Sequence, residues 1–486
     1  MAPLGLIGIL ASLLLLIWLA YRGWSVLFLA PLAAALTALL SGEPPLAHWT
    51  QTFMGAAAGF LAQFFPLFLL GAMFGKLMED SGSVTAIARF ITEKLGAQHA
   101  MLAVVLAGAI VTYGGVSLFV AFFVLAPMGR QLFRATRIPA HLMPAAIVLG
   151  TSTFTMTALP GTPSIQNAIP MPFFGTTPFA APGLGALASL VMFGFGMWWL
   201  GREQARAKGD GETRDTAPPT GERLAADESL RERATTAREF DPAEIARSGT
   251  SDAPLPFRLA VLPLLVVVAV NFVMSLFVLP RLDTSFLAEA RWGQTSLVAV
   301  GGVWAVITAL VCAILAVLAI NSRRLPAIRE TMDAGANASV LPAMSVASLV
   351  GFGAVVAAVP AFRVVREAVL GIGGGPLVSL AIATNVLAAM TGSASGGLTI
   401  ALDALAKSYL ERAAEIGLAP DLLHRVATIG AGTLDTLPHN GAVVTLLAVC
   451  GSTHRQSYRD IVVVGMIGPI IALAVVIVLG TAFGSF

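Results

Sequence analysis

Residues 433–441, Thr-Leu-Asp-Thr-Leu-Pro-His-Asn-Gly, interrupt an apolar run from 426 to 449 that is long enough to cross a lipid bilayer. Proline removes a backbone donor and clashes with the preceding turn, so a helix must break near Pro438. Broken backbone at membrane depth is tolerated only where protein or a water-filled cavity covers it. Ionisable residues at that depth are costly and mark functional sites, which here singles out Asp435 and His439. The stretch therefore predicts an intramembrane polar site on a discontinuous helix, the kind of site that transporters use.

A second polar interruption resembles the first. Residues 158–163, Ala-Leu-Pro-Gly-Thr-Pro, match residues 436–441 when the sequence is shifted by 278 positions. Within this match Thr162 falls on Asn440, and both residues are predicted helix N-caps, with Pro163 at the first helical position after Thr162. The same shift pairs two further positions: Ser117 with Ser395, and Gly75 with Gly353. Polar and glycine positions that share one offset indicate an internal repeat.

The composition is that of a helical membrane protein. Of the 486 residues, 57% are hydrophobic and 12% are charged, roughly half the charged fraction of a soluble protein, and the mean hydropathy is +0.83. We predict an all-α polytopic membrane protein. The net charge of +2 says nothing about a nucleic-acid partner. No basic cluster that interleaves aromatic residues is present, so we predict no nucleic-acid partner. No phosphate loop, nucleophile elbow or metal-ligand spacing is present, so the sequence predicts no enzyme, no cofactor and no metal site.

The apolar segments predict about ten crossings, two re-entrant hairpins and two broken helices. Residues 1–200 form the first membrane repeat and residues 257–486 the second. Residues 201–256 are rich in Arg, Glu, Asp, Thr and Pro and predict a flexible cytoplasmic linker. Five crossings in each half would insert the halves in opposite directions, which is an inverted-topology repeat.

Loop charges set the orientation. With the N-terminus outside the cytoplasm, and with nine basic residues of the linker left out, thirteen Lys and Arg residues, including Lys76, are assigned to cytoplasmic loops. Seven, including Arg425, fall on the other side. The excess on the cytoplasmic side fits the positive-inside rule.

The hairpin tips, residues 112–117 and 391–397, are rich in Gly, Ser and Thr. Glycine lets a ligand approach the backbone closely, and free N–H groups at tips and at new helix starts favour anions. The candidate substrate-binding residues are Thr112, Gly114, Gly115, Ser117, Thr162, Gln166, Asn167, Thr391, Ser393, Ser395, Thr436, His439 and Asn440. Tight helix packing through small residues, plain capping, and hydrogen bonds from Gln166 and Asn167 to neighbouring helices are alternatives.

Asp435 and His439 are the candidates for proton coupling, because a titratable pair in a dehydrated site can carry a proton. The alternative for Asp435 is a structural carboxylate that accepts backbone hydrogen bonds. The alternative for His439 is a static donor to a carbonyl.

Four stretches together resemble one family of carriers. Residues 437–447 (Leu-Pro-His-Asn-Gly-Ala-Val-Val-Thr-Leu-Leu), 391–397 (Thr-Gly-Ser-Ala-Ser-Gly-Gly), 160–170 (Pro-Gly-Thr-Pro-Ser-Ile-Gln-Asn-Ala-Ile-Pro) and 174–177 (Phe-Gly-Thr-Thr) are similar to the gluconate permease (GntP-type) family of the ion-transporter group. The resemblance implies proton-coupled uptake of gluconate or related hydroxy- and keto-carboxylates across a bacterial inner membrane, and some members are described as 3-hydroxybutyrate permeases. It also implies homodimers in which a hairpin-bearing domain moves against a scaffold, an elevator mechanism. Sodium-coupled relatives carry Ser-Asn-Thr at the hairpin tips, whereas this chain carries Gly-Gly-Val-Ser and Gly-Ser-Ala-Ser.

The sequence thus favours a symporter of protons and a small hydroxy-monocarboxylate, of the 3-hydroxybutyrate or gluconate type. A sodium-coupled carboxylate carrier and an anion channel are the competing transport classes. An intramembrane enzyme would need a nucleophile and a base at depth, for which only Asp435 and His439 are available.

Overall fold

The computed structural model describes residues 2–22, 24–209, 255–325, 327–438 and 440–486. Two of the predicted features lie largely or wholly outside these ranges. Residues 210–254 of the predicted linker lie outside the described ranges, and residues 201–209 are the end of a helix. His439 also lies outside them.

The first half is a series of helices joined by short connections. Its helices are α1 Ala2–Tyr21, α2 Val26–Leu40, α3 Pro45–Asp80, α4 Ser83–Leu95, α5 Ala100–Tyr113, α6 Leu118–Ala135, α7 Met143–Thr151, α8 Phe154–Thr157, α9 Ile165–Ala168, α10 Pro170–Phe174 and α11 Pro182–Gly209. In α3 a π-helical turn at His48–Phe53 leads into regular α-helix.

The second half follows the same order. Its helices are α12 Phe257–Val273, α13 Leu297–Asn321, α14 Ile328–Ala338, α15 Val340–Ala358, α16 Phe362–Leu370, α17 Gly375–Thr391, α18 Ala394–Glu415, α19 Pro420–Thr433, α20 Gly441–Val449, α21 His454–Val462 and α22 Gly468–Phe483. Over the described ranges there is no β-strand, which confirms the all-α class.

Seven of the described helical segments are long and apolar enough to cross a membrane. They are Pro45–Asp80, Leu118–Ala135, Pro182–Ala207, Phe257–Arg281, Leu297–Asn321, Ile328–Ala358 and His454–Phe483. Four shorter apolar helices accompany them: Leu4–Leu16, Val26–Leu40, Ala100–Tyr113 and Gly375–Thr391. The prediction of a polytopic membrane protein is confirmed, and the count of ten crossings stays a prediction.

Two pairs of helices meet at the predicted tips. Hairpin 1 consists of α5 and α6, and hairpin 2 consists of α17 and α18. Each hairpin is followed by an interrupted helix. Break 1 (residues 152–181) separates α7 from α11 and contains three short helices, and break 2 (residues 434–440) separates α19 from α20.

Helices at matching places in the two halves pack in matching pairs. Helix α1 packs on α2 as α12 packs on α13, and α5 packs on α7 as α17 packs on α19. Across the halves, α2 packs on α15 and α13 packs on α3. This pattern favours the internal repeat.

Close approach between the halves depends on glycine. A Cβ at Gly335 of α14 would lie 2.7 Å from Cα of Met73 in α3, so any side chain there would push the two helices apart.

Two charges that we assigned to loops are buried. Lys76 is fully buried in α3, and its Nζ lies 3.0 Å from Oδ1 of Asp80 and 3.4 Å from Oε2 of Glu79. Arg425 is fully buried in α19. The loop count of thirteen against seven was therefore wrong by one on each side, and the excess on the cytoplasmic side is unchanged. Ion-pair geometry and helix packing, which loop counting ignores, explain the burial.

We expect a tag after Phe486 to be reached from the periplasm, and a tag inserted between Gly209 and Gly221 to be reached from the cytoplasm. The reason is the odd number of crossings predicted for each half. Labelling of intact cells with a membrane-impermeant reagent measures this, and permeabilised cells serve as the control. Because the carbonyl of Phe486 accepts a 2.8 Å hydrogen bond from N of Gly183, the C-terminal tag needs a flexible spacer. Both tags on one side would contradict the inverted repeat.

Candidate functional site

A cavity of about 150 Å³ lies between hairpin 2, both breaks, the start of α6 and one face of α15. Most of its wall is apolar, with side chains such as Phe68, Phe119, Phe122 and Met156. Its polar residues are Ser152, Gln166, Ser345, Thr391, Ser393, Ser395, Asp435, Thr436 and Asn440. Among the described residues of the wall, Asp435 is the single ionisable side chain.

Asp435 is fixed by hydrogen bonds to hairpin 2 and to break 2. Its Oδ1 accepts from the backbone N–H of Ala394 at 2.8 Å and from Nδ2 of Asn440 at 3.0 Å. Ala394 is the first residue of α18, where free N–H groups carry a partial positive charge that stabilises a carboxylate. The carboxyl group is thus held in one orientation at the cavity wall.

Asn440 connects the same two elements through both ends of its amide. Its Oδ1 accepts from N of Ala442 at 2.8 Å, so Asn440 is the N-cap of α20. Its Nδ2 donates to the carbonyl of Gly392 at 2.9 Å as well as to Asp435. Break 2 and the tip of hairpin 2 therefore hold one another in place.

The three hydroxyl residues predicted in the tip of hairpin 2 do line the cavity. Thr391 Oγ1 donates to the carbonyl of Leu387 at 2.9 Å, and Ser393 Oγ accepts from N of Gly396 at 3.3 Å. Ser393 and Ser395 lie with their Oγ atoms 3.2 Å apart. These local hydrogen bonds fix the shape of the tip, and the three residues form part of the cavity wall.

The tip of hairpin 1 does not reach the cavity, contrary to the symmetric site that we expected. Thr112 Oγ1 donates to the carbonyl of Gly108 at 2.8 Å, and Ser117 caps α6 by accepting from N of Phe119 at 3.3 Å. Gly114 lies against Leu264 and Gly115 against Pro163, and φ of Gly115 is +96°. Packing and capping account for the contacts of these four residues, and their role in substrate binding stays a prediction.

Break 1 also differs from expectation. The new helix begins at Ile165, after Ser164, and not at Pro163 after a Thr162 cap. Thr162 Oγ1 accepts a 3.4 Å hydrogen bond from N of Ser164, which makes a turn ahead of the helix. Gln166 lines the cavity and is half-buried.

Asn167 faces away from the cavity into a buried polar cluster that the sequence analysis missed. Its Nδ2 donates to the carbonyls of Thr162 and Pro178, each at 3.0 Å. Its Oδ1 accepts from His424 Nε2 at 3.1 Å and from Arg425 Nη1 at 3.3 Å. Asn167 is completely buried. Its hydrogen bonds to α19 are those of the alternative interpretation, in which Asn167 bonds to a neighbouring helix.

Arg425 is the centre of that cluster. Its Nη2 and Nε donate to the carbonyl of Ala180 at 2.7 and 3.1 Å, and its Nη1 donates to the carbonyl of Thr157 at 3.0 Å. His424 beside it accepts at Nδ1 from the hydroxyl of Thr176 at 2.6 Å, because its Nε2 donates to an amide oxygen. An arginine next to a long apolar run was the signal that could have identified the cluster.

Thr436 lies at the cavity wall, and its side chain packs against Gly465. A Cβ at Gly465 would come within 2.8 Å of Thr436 Oγ1, so the glycine makes room for the threonine. Its hydroxyl is buried and has no hydrogen-bond partner among the described residues.

Side chains from other elements cover the carbonyls that the breaks leave open. In break 1, Tyr113 donates to the carbonyl of Pro160 at 2.8 Å and Asn271 to that of Gly161 at 3.0 Å. In break 2, His454 Nε2 donates to the carbonyl of Pro438 at 2.8 Å and Tyr458 to that of Thr436 at 3.2 Å. Interrupted backbone needs such donors wherever lipid excludes water.

Fold and cavity together define the class of protein. A polytopic helical chain that carries its polar residues on interrupted helices around an internal cavity, and not on surface loops, is a membrane transporter.

The comparisons with known proteins give the family. The GntP family permease profile matches residues 4–171. The chain is 39% identical over 484 residues to the uncharacterized transporter YxjC of Bacillus subtilis (strain 168), an alignment that covers 97% of this chain and 98% of the relative. The chain belongs to the GntP family of permeases and is a multi-pass protein of the bacterial inner membrane.

Two relatives match over shorter regions. The high-affinity gluconate transporter of Escherichia coli (strain K12) is 29% identical over 143 residues, 29% of this chain and 31% of the relative. The gluconate permease of Bacillus licheniformis is 35% identical over 124 residues, 25% of this chain and 26% of the relative.

Proposed function

We propose that this permease is a secondary symporter that carries a small hydroxy-monocarboxylate inward together with a proton. The observation that carries the proposal is the placement of Asp435, the single ionisable described residue of the cavity wall, held by Ala394 and Asn440. The breaks and hairpin tips around it are the elements from which transporters build substrate sites near the membrane midplane.

Coupling follows from the charges. A bound carboxylate and an ionised Asp435 in one cavity of about 150 Å³ repel one another. Uptake of a proton by Asp435 removes that repulsion, so the proton and the anion favour each other's binding. His439, four residues further along the chain, is the second residue that we propose for proton coupling.

The wall chemistry favours a small substrate. Two relatives are named for gluconate, whose several hydroxyl groups need several partners. Here Phe119, Phe122 and Met156 occupy much of the wall. We therefore place 3-hydroxybutyrate ahead of gluconate, with Thr391, Ser393, Ser395, Gln166, Thr436 and Asn440 as the proposed substrate-binding residues.

The transport cycle is proposed by analogy with the wider group. The hydrogen bonds that join hairpin 2 to break 2 support their movement as one unit. An elevator movement of that unit, an inverted repeat and a homodimer are parts of the proposal.

Uptake into proteoliposomes tests the proposed function. We expect saturable accumulation of radiolabelled 3-hydroxybutyrate or gluconate under an inward pH gradient, and only equilibration without it. Empty liposomes are the control. Accumulation under a sodium gradient alone would contradict proton coupling, and non-saturable flux would identify a channel.

A further inference from the structure

One helix outside the hairpins and breaks contributes a complete face to the cavity. Pro342, Ser345, Val346 and Leu349 of α15 line the wall. Their spacing of three, four and seven residues places them on one side of an α-helix. Ser345 is the single polar residue of that face.

The Ser345 hydroxyl is buried and unpaired. The residue is 6% exposed, and its Oγ has no hydrogen-bond partner among the described residues. A serine in a helix usually donates to the carbonyl four residues earlier, as Thr399 does to Ser395 at 2.7 Å in neighbouring α18. Ser345 does not make this bond, although a buried polar group without a partner costs free energy. Ser345 thus places a hydroxyl without a partner in the described part of the chain on a helix face that lines the cavity.

We propose that Ser345 binds the hydroxyl group of the transported acid and so distinguishes a hydroxy-carboxylate from the unsubstituted acid. This inference rests on the proposed function and adds a residue to its site. The neighbours of Ser345 on its face are apolar, so this face of α15 offers a single hydrogen bond, that of Ser345. A single hydrogen bond suits a hydroxyl better than a carboxylate. The carboxylate can take its donors from the hydroxyls of Ser393 and Ser395 in hairpin 2, which line the same cavity.

A second polar side chain supports the same orientation of the substrate. Gln166 of break 1 also lines the cavity and is half-buried. A hydroxyl between Ser345 and Gln166 can donate to one and accept from the other. A site built to bond a hydroxyl rejects analogues that lack it, because its own polar groups are then left unpaired.

Ser345→Ala tests the inference with 3-hydroxybutyrate, gluconate and butyrate as probes in calorimetry of the purified full chain. We expect the affinity for the preferred hydroxy acid to fall about tenfold or more. Affinity for butyrate should change less than about twofold, because butyrate has no hydroxyl group with which Ser345 could bond in the parent protein. Ser348→Ala is the matched control, since Ser348 lies on the same helix, is 7% exposed and does not line the cavity.

Thermal unfolding without ligand separates a binding role from a structural one. Ser345→Ala should melt at the same temperature as the parent or higher, because an unpaired buried hydroxyl is removed. A lower melting temperature without ligand, or an unchanged affinity for the hydroxy acid, would overturn the inference and leave the proposed function standing. Parent protein that binds none of the three acids would overturn the proposed function, and with it the role of Ser345.

Discussion

Asp435→Asn is expected to abolish pH-driven accumulation of substrate, a loss of about tenfold or more in the accumulation ratio. Asparagine keeps the size of the side chain, and its Oδ1 can still accept from Ala394 and Asn440, but it cannot take up a proton. Substrate exchange between the two sides of the membrane should therefore persist. Proteoliposomes assayed in parallel for gradient-driven uptake and for exchange measure both quantities.

The matched control is another acid on the same group of helices. Asp403 of α18 is exposed and does not line the cavity, so Asp403→Asn should accumulate substrate as the parent does. Full accumulation by Asp435→Asn would refute its role as the proton carrier. Loss of both accumulation and exchange, with normal folding, would instead assign Asp435 to substrate binding.

Arg425→Gln is expected to lower the free energy of unfolding by about 3 kcal/mol or more, because charged hydrogen bonds to buried carbonyls are lost. The carbonyls of Thr157 and Ala180 would be left without their donors in a region that water does not enter. Break 1 loses its attachment to α19 as a result. Thermal unfolding of the purified protein in detergent, together with the yield of folded protein, measures the effect.

Arg363→Gln is the control for Arg425→Gln. The side chain of Arg363 is 75% exposed, and its Nε lies 3.7 Å from Oε1 of Glu367. Removal of an exposed ion pair of this kind changes stability by about 0.5 kcal/mol or less. Equal melting temperatures for the two variants would show that the buried cluster contributes little.

The sequence predicted the features that depend on local backbone chemistry. Proline and glycine placed break 2 and the tip of hairpin 2, because these residues determine where a helix can continue. Asn440 was predicted as a cap and caps α20. Asp435 was predicted beside the break and lies at the cavity wall. The class of fold followed from the composition.

The features that the sequence did not predict depend on packing between distant segments. Repeat symmetry suggested equal roles for the two hairpin tips, but contacts with Leu264 and Pro163 occupy the tip of hairpin 1. Arg425 was assigned to a loop, because its carbonyl partners lie about 250 residues earlier in the chain. The face of α15 that meets the cavity is likewise set by tertiary contacts and not by periodicity alone.

The side chains that cover the break carbonyls also constrain how such a chain can change over evolution. Tyr113 lies 47 positions before Pro160, and Asn271 lies 110 positions after Gly161. A substitution that removes one of these donors leaves a carbonyl of another element without a hydrogen bond. A second substitution, far away in the sequence, then has to supply a new donor. We therefore expect covariation between the breaks and their distant donors, with replacements at position 113 or 271 accompanied by a new donor near the same carbonyl. Sequence change in this protein is therefore limited by pairs of residues that are far apart in the sequence and hydrogen-bonded in the fold.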